Sequence, residues 1–161
     1  MAITGKTRVL GVLGSPVEHS LSPVMQNAAI AVLGLDWIYV PFHVEPQSIQ
    51  SALESIRVLD LVGVNATVPL KEVIAPFLDW VDPVAAGIKS VNTIVNKSGT
   101  LCGYSTDGAG LMWDLANKNA LPPKGASVLV LGAGGSSRAV VYQLANSGYS
   151  VSIANRTHDR T

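Results

Sequence analysis

Residues 127–139 read Ser127-Val128-Leu129-Val130-Leu131-Gly132-Ala133-Gly134-Gly135-Ser136-Ser137-Arg138-Ala139. A short apolar, β-branched run leads into a Gly-x-Gly-x-x-small turn, which opens a helical pattern over 137–147. A last β-branched run follows at 150–154. Strand, glycine turn, helix and strand in that order make a βαβ unit, whose two strands must be parallel. The chain is therefore read as α/β, working outward from this turn.

Upstream, Leu121-Pro122-Pro123-Lys124-Gly125 marks a boundary, because prolines and a glycine interrupt any regular element. Before it, the apolar runs 9–13, 37–44 and 61–67 are expected as strands. Helices are expected over 23–33, along the i, i+3, i+4, i+7 stripe of Ile49, Ala52, Leu53 and Ile56, and over 70–80 behind Pro69. The runs 91–95 and 101–104 flank Asn96-Lys97-Ser98-Gly99 and predict an antiparallel hairpin at the sheet's edge. Thr106 or Asp107 then caps a helix whose Leu111, Met112 and Leu115 form one apolar face. The expected organisation is a three-layer α/β/α domain with a mainly parallel sheet over 1–106 and a linking helix and boundary over 107–125. The first βαβ unit of an incomplete Rossmann-type domain follows over 126–161.

The 161 residues are 48% hydrophobic and 14% charged, with a mean hydropathy of +0.35, which excludes a disordered chain. Eleven Lys and Arg balance 11 Asp and Glu, so no basic surface is expected for a nucleic-acid partner. The charge-free stretches 19–35 and 139–155 are broken by Ser, Pro, Gln, Asn and Gly, so neither is read as crossing a membrane. No targeting segment is read at the N-terminus, and the expected location is cytoplasmic. The single Cys102 offers no metal-ligand spacing, and it fits either a packing residue or a reactive thiol. A sheet edge or an exposed Trp could serve a homodimer or pack internally; both stay open.

The glycine turn carries the first chemistry. Gly132 permits the tight turn, Gly134 lets a pyrophosphate approach the backbone, and Ser137 stands where a third glycine would let helix and strand pack closely. The free N–H groups of the helix start favour the anion. At the end of the next strand, where a carboxylate would bind the ribose of NAD, stands Asn155-Arg156-Thr157, with Arg160 after it. A guanidinium, a hydroxyl and an amide suit a 2′-phosphate, so the expected cofactor is NADP.

Polar residues of the first hundred positions gather at strand ends, where open α/β sheets bind ligands. Ser20 and Ser22 flank a helix start and suit a carboxylate, although Ser22 could equally cap that helix. Asn65 and Thr67 share one face as their strand ends, and Lys71 follows in the first turn of the expected helix, against its dipole. Ser90-Val91-Asn92-Thr93 and Gly103-Tyr104-Ser105-Thr106-Asp107-Gly108 complete the set. Asp107 could simply stabilise its helix start, or it could orient the Lys71 ammonium in an acid–base dyad.

Six motifs in order then carry a resemblance: Gly-x-Pro-x-x-His-Ser-x-Ser-Pro at 14–23, Asn-x-Thr-x-Pro-x-Lys at 65–71, Val-Asn-Thr at 91–93, Thr-Asp-Gly at 106–108, Gly-Ala-Gly-Gly at 132–135 and Asn-Arg-Thr at 155–157. Together they resemble the shikimate dehydrogenase family, which implies reversible NADPH-dependent reduction of 3-dehydroshikimate to shikimate on the route to aromatic amino acids. The resemblance implies that Ser20, Ser22 and Thr67 hold the substrate carboxylate and that Asn65, Asn92 and Asp107 bind ring hydroxyls. It makes Lys71 the acid–base residue and Asp107 its partner. It implies that Gly132, Ala133, Gly134, Gly135 and Ser136 hold the pyrophosphate, and that Asn155, Arg156, Thr157 and Arg160 hold the adenosine end. Gln26, Ala66, Lys89-Ser90 and Ser105 depart from the residues usual in the family, which has His, Val, Gly-Ala and Asn there.

Residues 126–161 supply only two of the six strands of a Rossmann domain. The chain is therefore expected to be an N-terminal part of a longer enzyme, inactive or nearly so alone, with its first domain still binding shikimate weakly. Two alternatives stand beside this reading: a quinate/shikimate dehydrogenase that uses NAD, and a non-catalytic shikimate-binding fragment.

Overall fold

Val12 and Leu13 are neighbours on one strand, so alternation sends them to opposite faces of a sheet, and a different helix covers each face. The computed structural model describes residues 2–157. Its elements are β1 (Arg8–Gly14), α1 (Ser22–Val32), β2 (Trp37–His43), α2 (Ile49–Val58), β3 (Gly63–Ala66), β4 (Trp80–Val81), α3 (Pro83–Ile88), β5 (Thr93–Lys97), β6 (Thr100–Tyr104), α4 (Asp107–Asn117), β7 (Ser127–Leu131), α5 (Gly135–Asn146) and β8 (Ser150–Ala154). Val12 packs with Val17, Ile30 of α1 and Tyr39. Leu13 packs with Ile49, Leu53 and Ile56 of α2, together with Leu70, Ile74, Ile94 and Leu101. The α2 stripe read from the sequence is thus the buried one, and each such side chain contributes about 1.5–3 kcal/mol by leaving water.

The six strands run in the order β2-β1-β3-β5-β6-β4. Pairings of β1 with β2, β1 with β3 and β4 with β6 are parallel, while β5 is antiparallel to β3 and β6. This is the expected three-layer α/β/α arrangement with a mostly parallel sheet. The second sheet pairs β7 with β8 in parallel, joined by α5.

Two expectations fail locally. Instead of a helix over 70–80, the chain makes short 3₁₀ turns at Leu70–Glu72 and Ala75–Phe77 and then β4. Pro76 is the reason: it has no N–H for the carbonyl of Glu72, and its ring would collide with that carbonyl in an α-helix. The hairpin is not the sheet's edge either, because β4 pairs outside β6 through Asp79 N–H to the Leu101 carbonyl and Asp82 N–H to the Gly103 carbonyl. The Trp80 ring adds a tilted contact with Tyr104 at 5.5 Å between centroids. The hairpin turn itself is the two residues Ser98 (φ 52°) and Gly99 (φ 91°), both left-handed as a tight antiparallel turn requires. Between β4 and β5 lies α3, which the sequence reading lacked. Its start is marked by Asp82, whose Oδ2 accepts N–H bonds from Val84 (3.0 Å) and Ala85 (3.3 Å), with Pro83 in the first turn.

Candidate active site

The polar strand ends converge where β3 stops and α4 starts. Asn65, on β3, accepts from the Tyr39 hydroxyl at 2.7 Å and donates to the Asn92 carbonyl (3.1 Å) and Thr93 Oγ1 (3.2 Å). Lys71 follows in the first 3₁₀ turn, its own carbonyl accepting the Val91 N–H and so hitching the turn to residues 90–92. From there Lys71 Nζ reaches Asp107 Oδ2 at 2.5 Å, and both side chains are largely withdrawn from solvent, at 15% and 24% exposure. Asn92 Nδ2 donates to the other carboxylate oxygen at 2.5 Å, while Asn92 Oδ1 accepts the Thr106 N–H at 2.9 Å. Ser136 Oγ, from the first turn of α5, lies 2.9 Å from both Lys71 Nζ and Asp107 Oδ2. Burial would push the Asp107 carboxyl up. The bonds from Lys71, Ser136 and Asn92 outweigh it and hold the group below the usual carboxylate range. Burial pushes the Tyr39 phenol up to about 12, so it stays a neutral donor to Asn65.

Two clefts open on either side of this pair. One, of about 190 Å³, is lined by Ser22, Gln26, Asn65, Thr67, Lys71, Asn92 and Asp107 over a floor that includes Val12 and Ala66. The other, of about 380 Å³, lies between residues 68–73 and Gly134, Gly135, Ser136 and Ser137. Among the described residues, Lys71 alone lines both. A wider concavity, about 1080 Å³ between α2 and residues 76–79, contains none of the expected site residues.

Ser22 is the first residue of α1 and makes no side-chain cap, so the capping alternative is not realised. Ser20 is not among the residues lining the smaller cleft; its Oγ accepts the Ser22 N–H at 3.3 Å. Asp107 opens α4 without capping it either. The glycine turn has the expected form: Gly132 has φ +113°, and a Cβ on Gly134 would meet nothing within 4 Å, leaving the backbone open to a ligand. Gly135 is also closely packed: a Cβ there would stand 2.9 Å from Ser90 Oγ and 3.0 Å from Lys71 Cβ. Asn155 Nδ2 donates to the Thr157 carbonyl at 2.7 Å, and Arg156 is exposed just after β8. Arg160 lies outside the described residues. Cys102 is buried in β6, a packing position. Among the described residues no group of His, Cys, Asp and Glu could hold a metal ion.

Residues 12–94 match the family described as the shikimate dehydrogenase substrate binding domain. The chain belongs to this family. A shikimate dehydrogenase (NADP(+)) of Geobacter metallireducens is 51% identical over 158 residues, covering 98% of this chain and 55% of that protein. The crystal structure of shikimate dehydrogenase from Aquifex aeolicus superposes with a TM-score of 0.91 at 42% identity, over 99% of this chain and 59% of that one. The Thermus thermophilus enzyme in complex with NADP(H) and shikimate gives 0.88 at 41%, over 95% and 57%. The chain thus spans a little over half the length of these shikimate dehydrogenases. Within the family frame, Tyr39 behind Asn65 was missed from sequence; Ser90 and Ser136 were noted there, but not that the buried Ser90 Oγ donates to the Gly135 carbonyl at 3.0 Å or that Ser136 reaches Lys71. Tyr39 left a signal of its own, as a polar-tipped ring inside the apolar run of β2. Ser105 Oγ is buried without a hydrogen-bond partner, so this departure gives the site no contact.

Proposed function

We propose that this chain binds shikimate in the cleft of about 190 Å³ and supplies the acid–base pair for its interconversion with 3-dehydroshikimate, using NADP at the glycine turn. The observation that carries this reading is Lys71, a hydrogen-bonded cation shared by a small polar cleft and a cleft against the glycine turn. Such a residue can touch a substrate oxygen on one side while its neighbourhood meets a nucleotide on the other.

The residues present fit a dinucleotide. Gly132 and Gly134 leave the backbone clear, the first N–H groups of α5 have no partner within the helix, and Arg156 is exposed beyond β8 to meet a 2′-phosphate. Gly132, Ala133, Gly134, Gly135 and Ser136 would hold the pyrophosphate, and Asn155, Arg156 and Thr157 the adenosine end. When bound, the nicotinamide supplies the hydride that reaches the carbonyl carbon. Lys71 Nζ–H gives its proton to the carbonyl oxygen as negative charge develops there, and takes it back in the oxidative direction. Ser22 and Thr67, with Ser20, face the substrate carboxylate. Both N–H groups of the Asn65 amide are engaged, so it offers a ring hydroxyl only an acceptor lone pair. The Asn92 amide is engaged likewise, and reaches a ring hydroxyl only by giving up a present partner.

Titration calorimetry of the chain with shikimate tests the binding half. Saturable heat is expected, with Ser22→Ala weakening it about 10-fold or more, the scale of a hydrogen bond to a charged group. No heat, or full affinity in Ser22→Ala and Thr67→Ala alike, overturns the assignment. Where NADPH-dependent turnover of 3-dehydroshikimate is followed, Lys71→Ala cuts kcat by about 10²-fold or more with little change in substrate affinity. An unchanged kcat removes Lys71 from the chemistry.

A further inference from the structure

Lys71 belongs to the turn after β3 and Asp107 to the start of α4, whereas Ser136 arrives from the βαβ unit beyond the Leu121–Gly125 boundary. Their polar ends nevertheless close a triangle of 2.5, 2.9 and 2.9 Å. In it Ser136 Oγ accepts from the Lys71 ammonium and donates to Asp107 Oδ2. An ammonium has three N–H groups. Asp107 takes one and Ser136 a second, which leaves one for the small cleft that Lys71 lines. The placement of Ser136 is not accidental to a mobile surface side chain, because the backbone beneath it is fixed three ways. Gly135 lies so close that a Cβ there would stand 2.9 Å from Ser90 Oγ and 3.0 Å from Lys71 Cβ, the Ser90 hydroxyl is bonded to the Gly135 carbonyl, and Arg138 pairs with Glu72 at 3.2 Å. This docking brings the positive end of α5 towards an ammonium, an unfavourable approach that the Asp107 charge and the Ser136 oxygen offset.

We propose that Ser136 is a positioning residue for the Lys71–Asp107 pair: its hydroxyl fixes the direction of the remaining Lys71 N–H, so the proton donor is aimed into the cleft only while α5 is docked. This rests on the reading of Lys71 as the acid. It also gives Ser136 a role besides the pyrophosphate contact expected of the turn.

The test compares Ser136→Ala and Ser136→Thr in the 161-residue chain. Position 136 is exposed in the first helical turn, so both variants are accommodated. NMR reads the Asp107 carboxyl titration, assigned with Asp107→Asn, and the solvent exchange of the Lys71 ammonium. In Ser136→Ala, Asp107 is expected to titrate at higher pH than in the unchanged chain and the Lys71 ammonium to exchange at least about 3-fold faster, the low end of what one hydrogen bond is worth. Ser136→Thr restores both, because it keeps the hydroxyl. Unchanged titration and exchange in Ser136→Ala overturn the proposal, as does an equal shift in Ser136→Thr, which would make the effect one of packing. Absence of shikimate binding in every variant removes the functional reading instead, and the titration still decides the Ser136 contact.

Discussion

Lys89 ends α3 at φ 53° and ψ 47°, the left-handed conformation that a Cβ makes costly. It stands where the family resemblance expects glycine, and the backbone angles give the physical reason for that preference. Lys89→Gly is therefore expected to stabilise the chain by about 1 kcal/mol, raising the thermal midpoint by about 2–4 °C, while Lys89→Ala does not. Thermal unfolding of the two variants decides it. Asp107 makes stability depend on pH. Its carboxyl is held below the unfolded value, so it contributes stability fully above about pH 4 and loses it as pH falls through the folded value. Asp107→Asn also leaves the largely buried Lys71 ammonium without its counter-charge. The gap in thermal midpoint between the unchanged chain and Asp107→Asn should be widest near neutrality and close below about pH 4. A gap independent of pH would show that the carboxylate charge is not what holds the pair.

At the scale of elements, α4 and α5 cross so closely that one hydrogen atom decides the contact. A Cβ on Gly108 would stand 2.4 Å from the Ala139 carbonyl oxygen and 2.9 Å from Gln143 Cβ, whereas one on Gly110, two residues along the same helix, would meet nothing within 4 Å. Gly108→Ala is expected to cost about 1–3 kcal/mol as an overpacked contact. Gly110→Ala is expected to gain about 0.5–1 kcal/mol from helix propensity alone. Chemical denaturation of both variants checks the pair, and equal signs would contradict the crossing. This contact was invisible in the apolar stripe of Leu111, Met112 and Leu115, of which Leu111 remains exposed. The helix is tied to its neighbour by a missing side chain, and periodicity records only side chains that are present. The failed helix over 70–80 is the reverse case. Pro69 suits a first helical turn, but Pro76 further along lacks the N–H that a helix continuing past it would need.

For the whole molecule, the two sheets differ in how much they bury. The six-stranded sheet is covered on both faces, while β7 and β8 leave Leu129, Leu131 and Ile153 exposed at 61, 77 and 39%. A two-stranded sheet with one open apolar face is marginal by itself. Amides of β7 and β8 are therefore expected to exchange with solvent faster than those of β1 and β3, because they open without global unfolding. Equal protection by hydrogen-exchange mass spectrometry would mean that docking through α5 makes the chain one cooperative unit. The sequence by itself determined the α/β class, the helices and strands flanking β1, the hairpin and the βαβ unit. Each of these follows from local periodicity or from the turn residues beside it. It also marked Lys71, Asn92 and Asp107, each a polar residue at a strand end or helix start, and offered a Lys71–Asp107 dyad as one of two open readings. Only the tertiary structure decided that Lys71 and Asp107, 36 positions apart, share a proton-bearing contact, and that Ser136, 65 positions from Lys71, completes it. Such contacts depend on how separate elements dock, here on the space left by Gly108 and Gly135, and no local pattern encodes a distance between elements that are remote along the chain.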